Sequence, residues 1–209
     1  MSSSALVIAA FHNMFYNSGQ WVNSTRWLGV PVQKYPLDLW VYQEILFEVQ
    51  PDLIIETGTC YGGSALFMAS MCDILKKGHV VTIDIAANDG LPQHDRISYV
   101  QGSSLDPAVL STVAAHAKDA KKIMVVLDSD HSKDYVLREM RAYAPYVSSG
   151  SYMVVEDTAV NGHPLCPDHG PGPFEAIEEF YKENSWFQPD YTREKFILTQ
   201  NPGGYLRRM

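Results

Sequence analysis

The chain has 209 residues, of which 46% are hydrophobic and 19% are charged, and its formal net charge is −8. This is the balance of an ordinary globular protein, and the length suffices for one domain with a sizeable core. The acidic chain contains no stripe of Lys and Arg, which argues against nucleic acid as the main partner because phosphate backbones need clustered basic residues. A small molecule is the expected substrate.

The cysteines and the apolar runs indicate where such a protein would reside. Cys60, Cys72 and Cys166 are too few and too scattered for a disulfide framework, which favours a reducing compartment. The apolar run from Ala5 to Phe11 is short and has no basic residues before it, and no run approaches the length of a membrane span. The sequence therefore predicts a cytoplasmic protein without a membrane partner.

The first half of the chain predicts a helix, a strand and a second helix. Apolar residues recur on one helical face over Pro36–Val49, and the buried strand "PDLIIETGT" follows, ending in a tight turn. A helical stretch runs from Gly62 to Leu75. Residues 1–50 are predicted to form a helical cap over the functional site.

Four more apolar runs predict a mostly parallel sheet. The runs are "HVVTIDI", "ISYVQGS", "KIMVVLDSD" and "SYMVVEDT", separated by stretches long enough for crossover helices, one of them between Ser132 and Tyr146. Strands that alternate with helices are typical of a doubly wound α/β fold, a Rossmann-like architecture. We expect a single domain over residues 1–209.

The C-terminal quarter predicts a loop, a helix and an antiparallel edge. "GHPLCPDHGPGP" is too rich in Gly and Pro for regular structure, and a helix is expected from Pro173. The tail "KFILTQNPGGYLRRM" has two short apolar runs around a Pro-Gly-Gly turn, which predicts a hairpin or a pair of edge strands. Ligands of such folds bind at the carboxyl ends of the parallel strands, so the residues there are the candidate site.

The first strand ends in an acid-x-Gly-x-x-x-Gly pattern that opens a helix. Gly58 and Gly62 let the backbone approach a ligand, while Ser64 and the helix start offer donors. A dinucleotide site would more often show Gly-x-Gly-x-x-Gly. The carboxylate of Glu56 would repel a pyrophosphate but could bind the ammonium group of S-adenosylmethionine.

The next two strand ends suit an adenosine moiety. Asp84 lies 26 positions after Gly58, near the offset of about 20 residues at which an acid accepts hydrogen bonds from ribose. Gly102, Ser103 and Ser104 follow the third strand, where an adenine edge could be contacted. A plain turn is the alternative for this tripeptide.

Carboxylates follow both remaining parallel strands. Asp128 ends one strand and Glu156-Asp157 ends the next, so the three acids should converge if those strands are neighbours. Converging carboxylates raise one another's pKa unless a cation lies between them, and an all-oxygen ligand set suits Mg²⁺, Mn²⁺ or Ca²⁺. Simple hydration of these acids is the alternative.

His131 lies three residues beyond Asp128 and is the candidate general base, since an imidazole of pKa about 6.5 can accept a proton at neutral pH. His163, Cys166 and His169 have a spacing that suggests zinc, but they lack a clear fourth ligand. A substrate-facing loop is the favoured interpretation of that segment.

Three segments of the chain resemble the cephalosporin hydroxylase family, which contains metal-dependent O-methyltransferases of rhamnosyl groups and macrolide sugars. They are "WLGVPVQKYPLDLWVYQEILFEVQPDLIIETGTCYGGSALF", "LDSDHSKDYVLREMRAYAPYVSSGSYMVVEDT" and "GPGPFEAIEEF". The resemblance extends from Trp27 to the "GYLRR" tail. It implies the class I fold of S-adenosylmethionine-dependent methyltransferases.

The resemblance also implies roles for individual residues. Glu56, Gly58, Tyr61, Ser64 and Asp84 would belong to the cofactor site. Asp128, Glu156 and Asp157 would be metal ligands, and His131 the base. Catechol-type methyltransferases are similar in layout but have lysine at the position of His131. Together with the motifs above, the full predicted cofactor site is Glu56, Gly58, Tyr61, Gly62, Ser64, Asp84, Ser103, Ser104 and Asp128.

The sequence therefore predicts an S-adenosylmethionine-dependent O-methyltransferase that uses Mg²⁺ or Mn²⁺ and acts on a hydroxyl of a small molecule, a sugar or an antibiotic intermediate. A hydroxylase or NAD-dependent oxidoreductase of secondary metabolism and a non-catalytic binding module are the alternatives. Family members often have longer N-terminal regions. This chain either has less substrate cover or borrows it from a neighbouring subunit, which leaves a homo-oligomer open.

Overall fold

Five apolar runs form the parallel part of a seven-stranded sheet in the computed structural model, which describes residues 3–209. Every strand that the sequence predicts in this region is present, and its ends lie within three residues of the ends of the apolar run that predicts it. The strands are β3 (Leu53–Thr57), β4 (Val80–Asp84), β5 (Ile97–Gln101), β6 (Ile123–Leu127) and β7 (Tyr152–Val155).

The strand order is β5-β4-β3-β6-β7-β9-β8, where β8 is Phe187–Pro189 and β9 is Tyr205–Arg208. The first five strands pair in parallel, whereas β9 is antiparallel to both β7 and β8. The order reverses direction between β3 and β6, which opens a crevice at their carboxyl ends. The predicted doubly wound fold with an antiparallel C-terminal edge is confirmed.

Helices cover both faces of the sheet because its central strands are apolar on both sides. Leu53 and Ile55 of β3 pack in one core with helices α5 (Pro107–Ala117), α6 (Lys133–Tyr143) and α7 (Pro173–Glu183). Ile54 faces the other core, with α3 (Pro36–Val49) and α4 (Gly63–Leu75). Burial of successive residues on opposite faces explains why these strands are continuous apolar runs rather than alternating ones.

The N-terminal segment combines helices with a small hairpin. It consists of α1 (Ser3–Asn17), α2 (Gln20–Asn23), the two-stranded sheet β1 (Arg26–Trp27) and β2 (Val30–Pro31), and then α3. The end of the hairpin touches the start of α4 so closely that a Cβ on Gly63 would lie 2.1 Å from the Pro31 carbonyl oxygen. This contact carries the residues after Pro31 to the carboxyl edge of the sheet.

The C-terminal tail contains one predicted strand and lacks the other. The "YLRR" run forms β9, but residues 196–198 form no strand, and β9 pairs instead with β8 before them. A 3₁₀ turn at Tyr191–Glu194 follows β8, and Arg193 of that turn binds Glu48 of α3 through two nitrogens. Strand β8 thus occupies the edge of β9 where the first apolar run would have had to pair. Among residues 3–209 no helix is long and apolar enough to cross a membrane.

Candidate active site

A cavity of about 570 Å³ lies at the carboxyl ends of the parallel strands. Its walls come from the turns after β3 to β7 and from the N-terminal segment. The predicted site residues that line it are Gly58, Tyr61, Ser64, Asp84, Ser103, Ser104, Asp128, His131 and Asp157. The predicted residues that do not line it are Glu56, Gly62 and Glu156.

The turn after β3 joins the two halves of this cavity. Gly58 has a φ of +91°, and a Cβ there would lie 1.8 Å from the carbonyl oxygen of Asp128. Only glycine allows that approach, because the left-handed conformation and the missing side chain are both required. The first glycine of the motif thus brings the ends of β3 and β6 together.

Asp84 holds the same turn from the side of β4. Its Oδ2 accepts a hydrogen bond from the Cys60 amide at 2.8 Å, and its Oδ1 accepts one from the Ala86 amide at 2.9 Å. Each carboxylate oxygen has a second lone pair. Asp84 can therefore organise the turn and still accept a hydrogen bond from a hydroxyl in the cavity.

Glu56 is fully buried beneath the turn. Its Oε2 accepts a hydrogen bond from Thr82 at 2.7 Å, whereas its Oε1 has no hydrogen-bond partner of good geometry within residues 3–209. Burial raises the pKa of Glu56 to about 7, against the lowering effects of Lys34 and the Ser64 hydroxyl. The carboxylate is thus separated from the cavity that its predicted ligand would occupy.

The side of the cavity formed by Ser103 and Ser104 rests on a network that the sequence did not indicate. Tyr135 lines the cavity, and its hydroxyl lies 2.8 Å from Ser103 Oγ and 3.1 Å from Ser104 Oγ. The buried Glu139, one helical turn later, accepts hydrogen bonds from Ser104 at 2.5 Å and Ser129 at 2.7 Å. Residues i and i+4 share a helix face, and that pairing on α6 was the available signal.

Asp128, His131 and Asp157 converge at the ends of β6 and β7. One ligand atom from each lies within 4.8 Å of the others, a spacing that can hold a metal ion. His131 Nε2 is 3.4 Å from Asp157 Oδ2. Burial raises the pKa of both carboxyl groups. Burial alone would lower the pKa of His131, but Asp157 and Asp128 outweigh it and raise that pKa above its usual value.

Glu156 follows the same strand, but the structure does not bring it into this cluster. Its Oε1 accepts hydrogen bonds from Lys34 at 2.6 Å and from the Tyr42 hydroxyl. Lys34 also binds Asp128 Oδ2 at 2.7 Å and is only 2% exposed. Burial would lower the pKa of Lys34, yet the charges of Asp128 and Glu156 hold it above its usual range. A buried ammonium therefore neutralises part of the acidic cluster.

The C-terminal segment fixes Asp157. The residue has a φ of +55°, an uncommon conformation for a residue with a side chain. Its amide donates a hydrogen bond to Asn201 Oδ1 at 3.0 Å, and its Oδ1 accepts one from Gln200 Nε2 at 3.2 Å. Asp38 of α3 accepts the Gln200 amide at 2.9 Å. These partners leave Oδ2 as the oxygen that faces His131.

Comparison with known proteins assigns this chain to a family. The family model for "Rhamnosyl O-methyltransferase/CmcI" matches residues 19–209. The rhamnosyl O-methyltransferase of Mycobacterium tuberculosis is 40% identical, over 97% of this chain and 85% of that protein. The Mycobacterium leprae enzyme of the same name is 39% identical, over 95% of this chain and 89% of that protein.

Solved structures agree on the fold. A CmcI structure described as holding Mg and S-adenosylmethionine has a TM-score of 0.63 at 19% identity, covering 88% of this chain and 76% of that chain. A MycE methyltransferase of mycinamycin biosynthesis, in complex with Mg and S-adenosylhomocysteine, has a TM-score of 0.50 at 19% identity. The match covers 68% of this chain and 41% of that chain. The fold is that of the class I methyltransferases.

Proposed function

The chain belongs to the rhamnosyl O-methyltransferase/CmcI family and is therefore an O-methyltransferase, and we propose that it transfers a methyl group from S-adenosylmethionine to a sugar hydroxyl with the help of a divalent metal. The similar proteins named above support this assignment. The mycobacterial relatives are named for a rhamnosyl acceptor, and the CmcI and MycE structures contain Mg with the cofactor or its product.

The observation that carries the proposal is that two different sets of polar groups share one cavity. The turn at Gly58, with Asp84 and Ser103, lies along the same walls as Asp128, His131 and Asp157. The first set suits an adenosine with a charged tail, and the second suits a cation and a proton transfer. A methyl donor and an acceptor hydroxyl could thus meet where the strand order reverses.

The cofactor assignment follows the predicted residues. Asp84 would accept hydrogen bonds from the ribose hydroxyls, and Ser103 and Ser104 would border the adenine. Gly58, Tyr61, Gly62 and Ser64 would line the turn, and S-adenosylmethionine supplies the reactive methyl group on its sulfonium. Glu56 would act on the ammonium group through the turn above it, since its carboxylate does not line the cavity.

The donor set also fits a hard divalent cation. Asp128 and Asp157 would be ligands, because their oxygens already lie within reach of one position, and carboxylates are preferred by Mg²⁺ and Mn²⁺. Only Oε2 of the third predicted ligand, Glu156, would be left for a metal. When bound, the metal supplies a Lewis acid that makes a nearby hydroxyl more acidic.

His131 would remove the acceptor proton. Its Nε2 lies 3.4 Å from Asp157 Oδ2, so this carboxylate would stabilise the protonated imidazole, and Gln200 would keep the carboxylate in place through its other oxygen. Holding the deprotonated oxygen in line with the sulfonium methyl would provide much of the acceleration, because orientation replaces a bimolecular encounter.

A hydroxylase, the main alternative, is disfavoured by the ligand types. Non-haem iron oxygenases use two histidines and one carboxylate, whereas the cluster found among the described residues has one histidine and two carboxylates. A binding module without catalysis would have no need for a histidine beside two acids at the end of such a cavity.

The activity can be tested with purified protein, S-adenosylmethionine and Mg²⁺. A rhamnoside, a macrolide glycoside and a phenol are offered separately, and the products are weighed by mass spectrometry. We expect a gain of one methylene on the sugars, its loss in excess chelator, and its return with Mg²⁺ or Mn²⁺. Full turnover in chelator would contradict the metal requirement. Methylation of the phenol alone would contradict the sugar acceptor.

A further inference from the structure

An aromatic wall closes the end of the cavity beyond the acidic cluster. Tyr16 of α1 and Trp21 of α2 line the cavity, and their rings are stacked with centroids 5.4 Å apart at 30°. The indole Nε1 donates a hydrogen bond to the Tyr16 carbonyl oxygen at 3.1 Å. The Tyr35 ring makes a T-shaped contact with the Trp21 indole, with ring centroids 5.4 Å apart. Both rings are therefore fixed in position before any ligand arrives.

The loop between β7 and α7 provides the facing side. Val160 and His169 line the cavity, and the Lys133 amide donates a hydrogen bond to the Pro171 carbonyl oxygen at 3.0 Å, which anchors the loop beside His131. Asn13 Nδ2 of α1 donates one to the Pro164 carbonyl oxygen at 3.2 Å. The helix and the loop are thus joined over the same end of the site. We call Tyr16, Trp21, Val160 and His169 the acceptor wall.

The acceptor wall adjoins the metal cluster rather than the cofactor half. Burial, a hydrogen bond to Cys166 and the charge of Asp157 together raise the pKa of Tyr16 to about 12. The Val160 amide donates a hydrogen bond to the Asp157 carbonyl oxygen at 3.2 Å, so the loop side of the wall contacts a residue of the cluster directly. The groups assigned to adenosine lie on the turns after β3, β4 and β5, at the opposite side of the sheet reversal.

We propose that the acceptor wall is the subsite for a deoxyhexose ring, with the Tyr16–Trp21 pair covering its apolar face. This rests on the proposed function and names the residues that select the acceptor. A 6-deoxy sugar has a face of C–H groups and a methyl substituent, which suit aromatic rings and Val160, while its edge carries several hydroxyls. Ligand sites commonly combine apolar walls with a few placed polar groups in this way.

The polar groups around the acceptor wall match several hydroxyls better than the one or two of a phenol. Asp130, His131 and His169 all line the cavity, and Gly172 lies against both His131 and His169. Asp130 uses Oδ1 for the Ser132 amide at 2.8 Å, which leaves Oδ2 for a ligand. One hydroxyl would lie against His131 and Asp157 for methylation, and the others would bind these neighbours.

The acceptor wall and the proposed cofactor residues belong to different elements. Tyr16 and Trp21 belong to α1 and α2, whereas the residues assigned to adenosine follow β3, β4 and β5. Changing this wall should alter the acceptor without altering the cofactor site.

The test compares Trp21→Ala and Trp21→Phe with the matched control Trp40→Ala, an exposed tryptophan on α3 that does not line the cavity. The probe is methyl α-L-rhamnopyranoside. Trp21→Ala should raise its KM about tenfold, equivalent to about 1.4 kcal/mol, with kcat within about threefold. Trp21→Phe should retain most of the affinity, and Trp40→Ala should behave as wild type. The calorimetric Kd of S-adenosylhomocysteine should stay unchanged in all three.

A second measurement does not depend on turnover or on the variant's folding. Saturation-transfer NMR of wild-type protein with Mg²⁺, S-adenosylhomocysteine and the rhamnoside, irradiated at the aromatic protons, should label the C–H face and the sugar methyl group. Absence of that transfer, or an unchanged KM in Trp21→Ala, would overturn the acceptor wall. Loss of S-adenosylhomocysteine binding in Trp21→Ala would also overturn it, in favour of a structural role. Sugar binding to the wall without methyl transfer would instead contradict the proposed function while supporting the subsite.

Discussion

His131 is the residue on which the chemistry depends most. If it is the general base, His131→Ala should lower turnover by about 10²–10⁴-fold, the usual contribution of a positioned base. The wild-type rate should rise with pH through the histidine pKa, and the variant should lose that inflection. The charges of Asp128 and Asp157 raise that pKa, and a cation bound between them would offset part of this effect, so the inflection reports the pKa that remains with the metal in place.

The position of His131 in the cluster also allows it to be a metal ligand, and the two roles predict different binding. If His131 is only a base, His131→Ala should leave the affinity for Mn²⁺, measured by electron paramagnetic resonance, nearly unchanged. If His131 is a metal ligand, the same variant should bind Mn²⁺ more weakly. Asp157→Asn serves as the comparison that should weaken Mn²⁺ binding in either case. Wild-type turnover and pH dependence in His131→Ala would move the base elsewhere, with Asp130 the next candidate.

Lys34 should matter for stability before it matters for catalysis. Lys34→Met leaves the buried Glu156 and the partly buried Asp128 without their counter-ion, and removing one partner of a buried pair costs about 3–5 kcal/mol. Because a divalent ion can take over the neutralisation, Mg²⁺ should raise the melting temperature of the variant more than that of wild type. Urea and thermal unfolding in chelator and in Mg²⁺ measure both effects.

The matched control is the double variant Lys34→Met, Glu156→Gln, which removes one positive and one negative charge. The double variant should recover part of the lost stability and keep the experiment informative if the single variant does not fold. A single variant as stable as wild type in chelator would show that the Lys34 ammonium contributes no net stabilisation.

At the scale of an element, the attachment of α1 should depend on pH. His12 is 3% exposed, packs edge-on against Tyr35 at 5.6 Å, and has a ring Nε2 without a hydrogen-bond partner in residues 3–209. Burial lowers its pKa to about 4, below the unfolded value of about 6.5. Between these two pKa values the unfolded chain is protonated at His12 and the folded chain is not. The free energy of unfolding therefore falls as the pH decreases from about 6.5 towards 4.

The expected loss from His12 at about pH 5 is about 1–2 kcal/mol. His12→Leu cannot take up the proton, so its free energy of unfolding should decrease less between about pH 7.5 and pH 5 than that of wild type. Urea unfolding at the two pH values measures this difference. An equal decrease in both proteins would contradict the assignment, because the other titrating groups are common to both.

Elements with a strong periodic pattern could be predicted from the sequence, and elements set by distant partners could not. Helix α3 spans Pro36–Val49 as predicted, since its start and its apolar face are local features. Residues 196–198 are apolar but form no strand, because the edge position beside β9 belongs to β8. The sequence of the tail alone does not indicate that β8, rather than residues 196–198, pairs with β9.

The same division holds within the site. Each strand end at the site can be predicted from the local sequence. The order of the strands in the sheet then explains why Asp128, His131 and Asp157 converge. Lys34 contacts Glu156 across 122 positions of the chain, and Gln200 reaches Asp157 across 43. Neither is part of a motif, so their roles could be found only once the fold brought them together.

At the scale of the whole molecule, Gly58 joins the proposed cofactor half of the cavity to the proposed metal half, because it lies against the Asp128 backbone. Gly58→Ala would force a Cβ into the Asp128 carbonyl group and should destabilise the fold by at least about 2 kcal/mol, as overpacking and a left-handed alanine both cost free energy. Calorimetry should show weaker binding of both S-adenosylhomocysteine and Mn²⁺.

Two single-site variants give the comparison for Gly58→Ala. Asp84→Ala should weaken S-adenosylhomocysteine by about 1.5–3 kcal/mol, the range for hydrogen bonds to a charged group, and leave Mn²⁺ unaffected. Asp157→Asn should do the reverse. If Gly58→Ala impaired only one ligand, the two halves would not be coupled through this turn.

The hydrogen bonds from Gln200 and Asn201 to Asp157 have a consequence for the order in which the protein is made. The turn at Gly58 and its partner Asp84 are synthesised long before residues 200 and 201. Asp157, in contrast, lacks the side chains that hold its backbone and orient its carboxylate until residues 200 and 201 have been synthesised. Strand β9, which covers the edge of β7, comes later still. A nascent chain should therefore contain the proposed cofactor residues before it can orient Asp157 for the proposed methyl transfer.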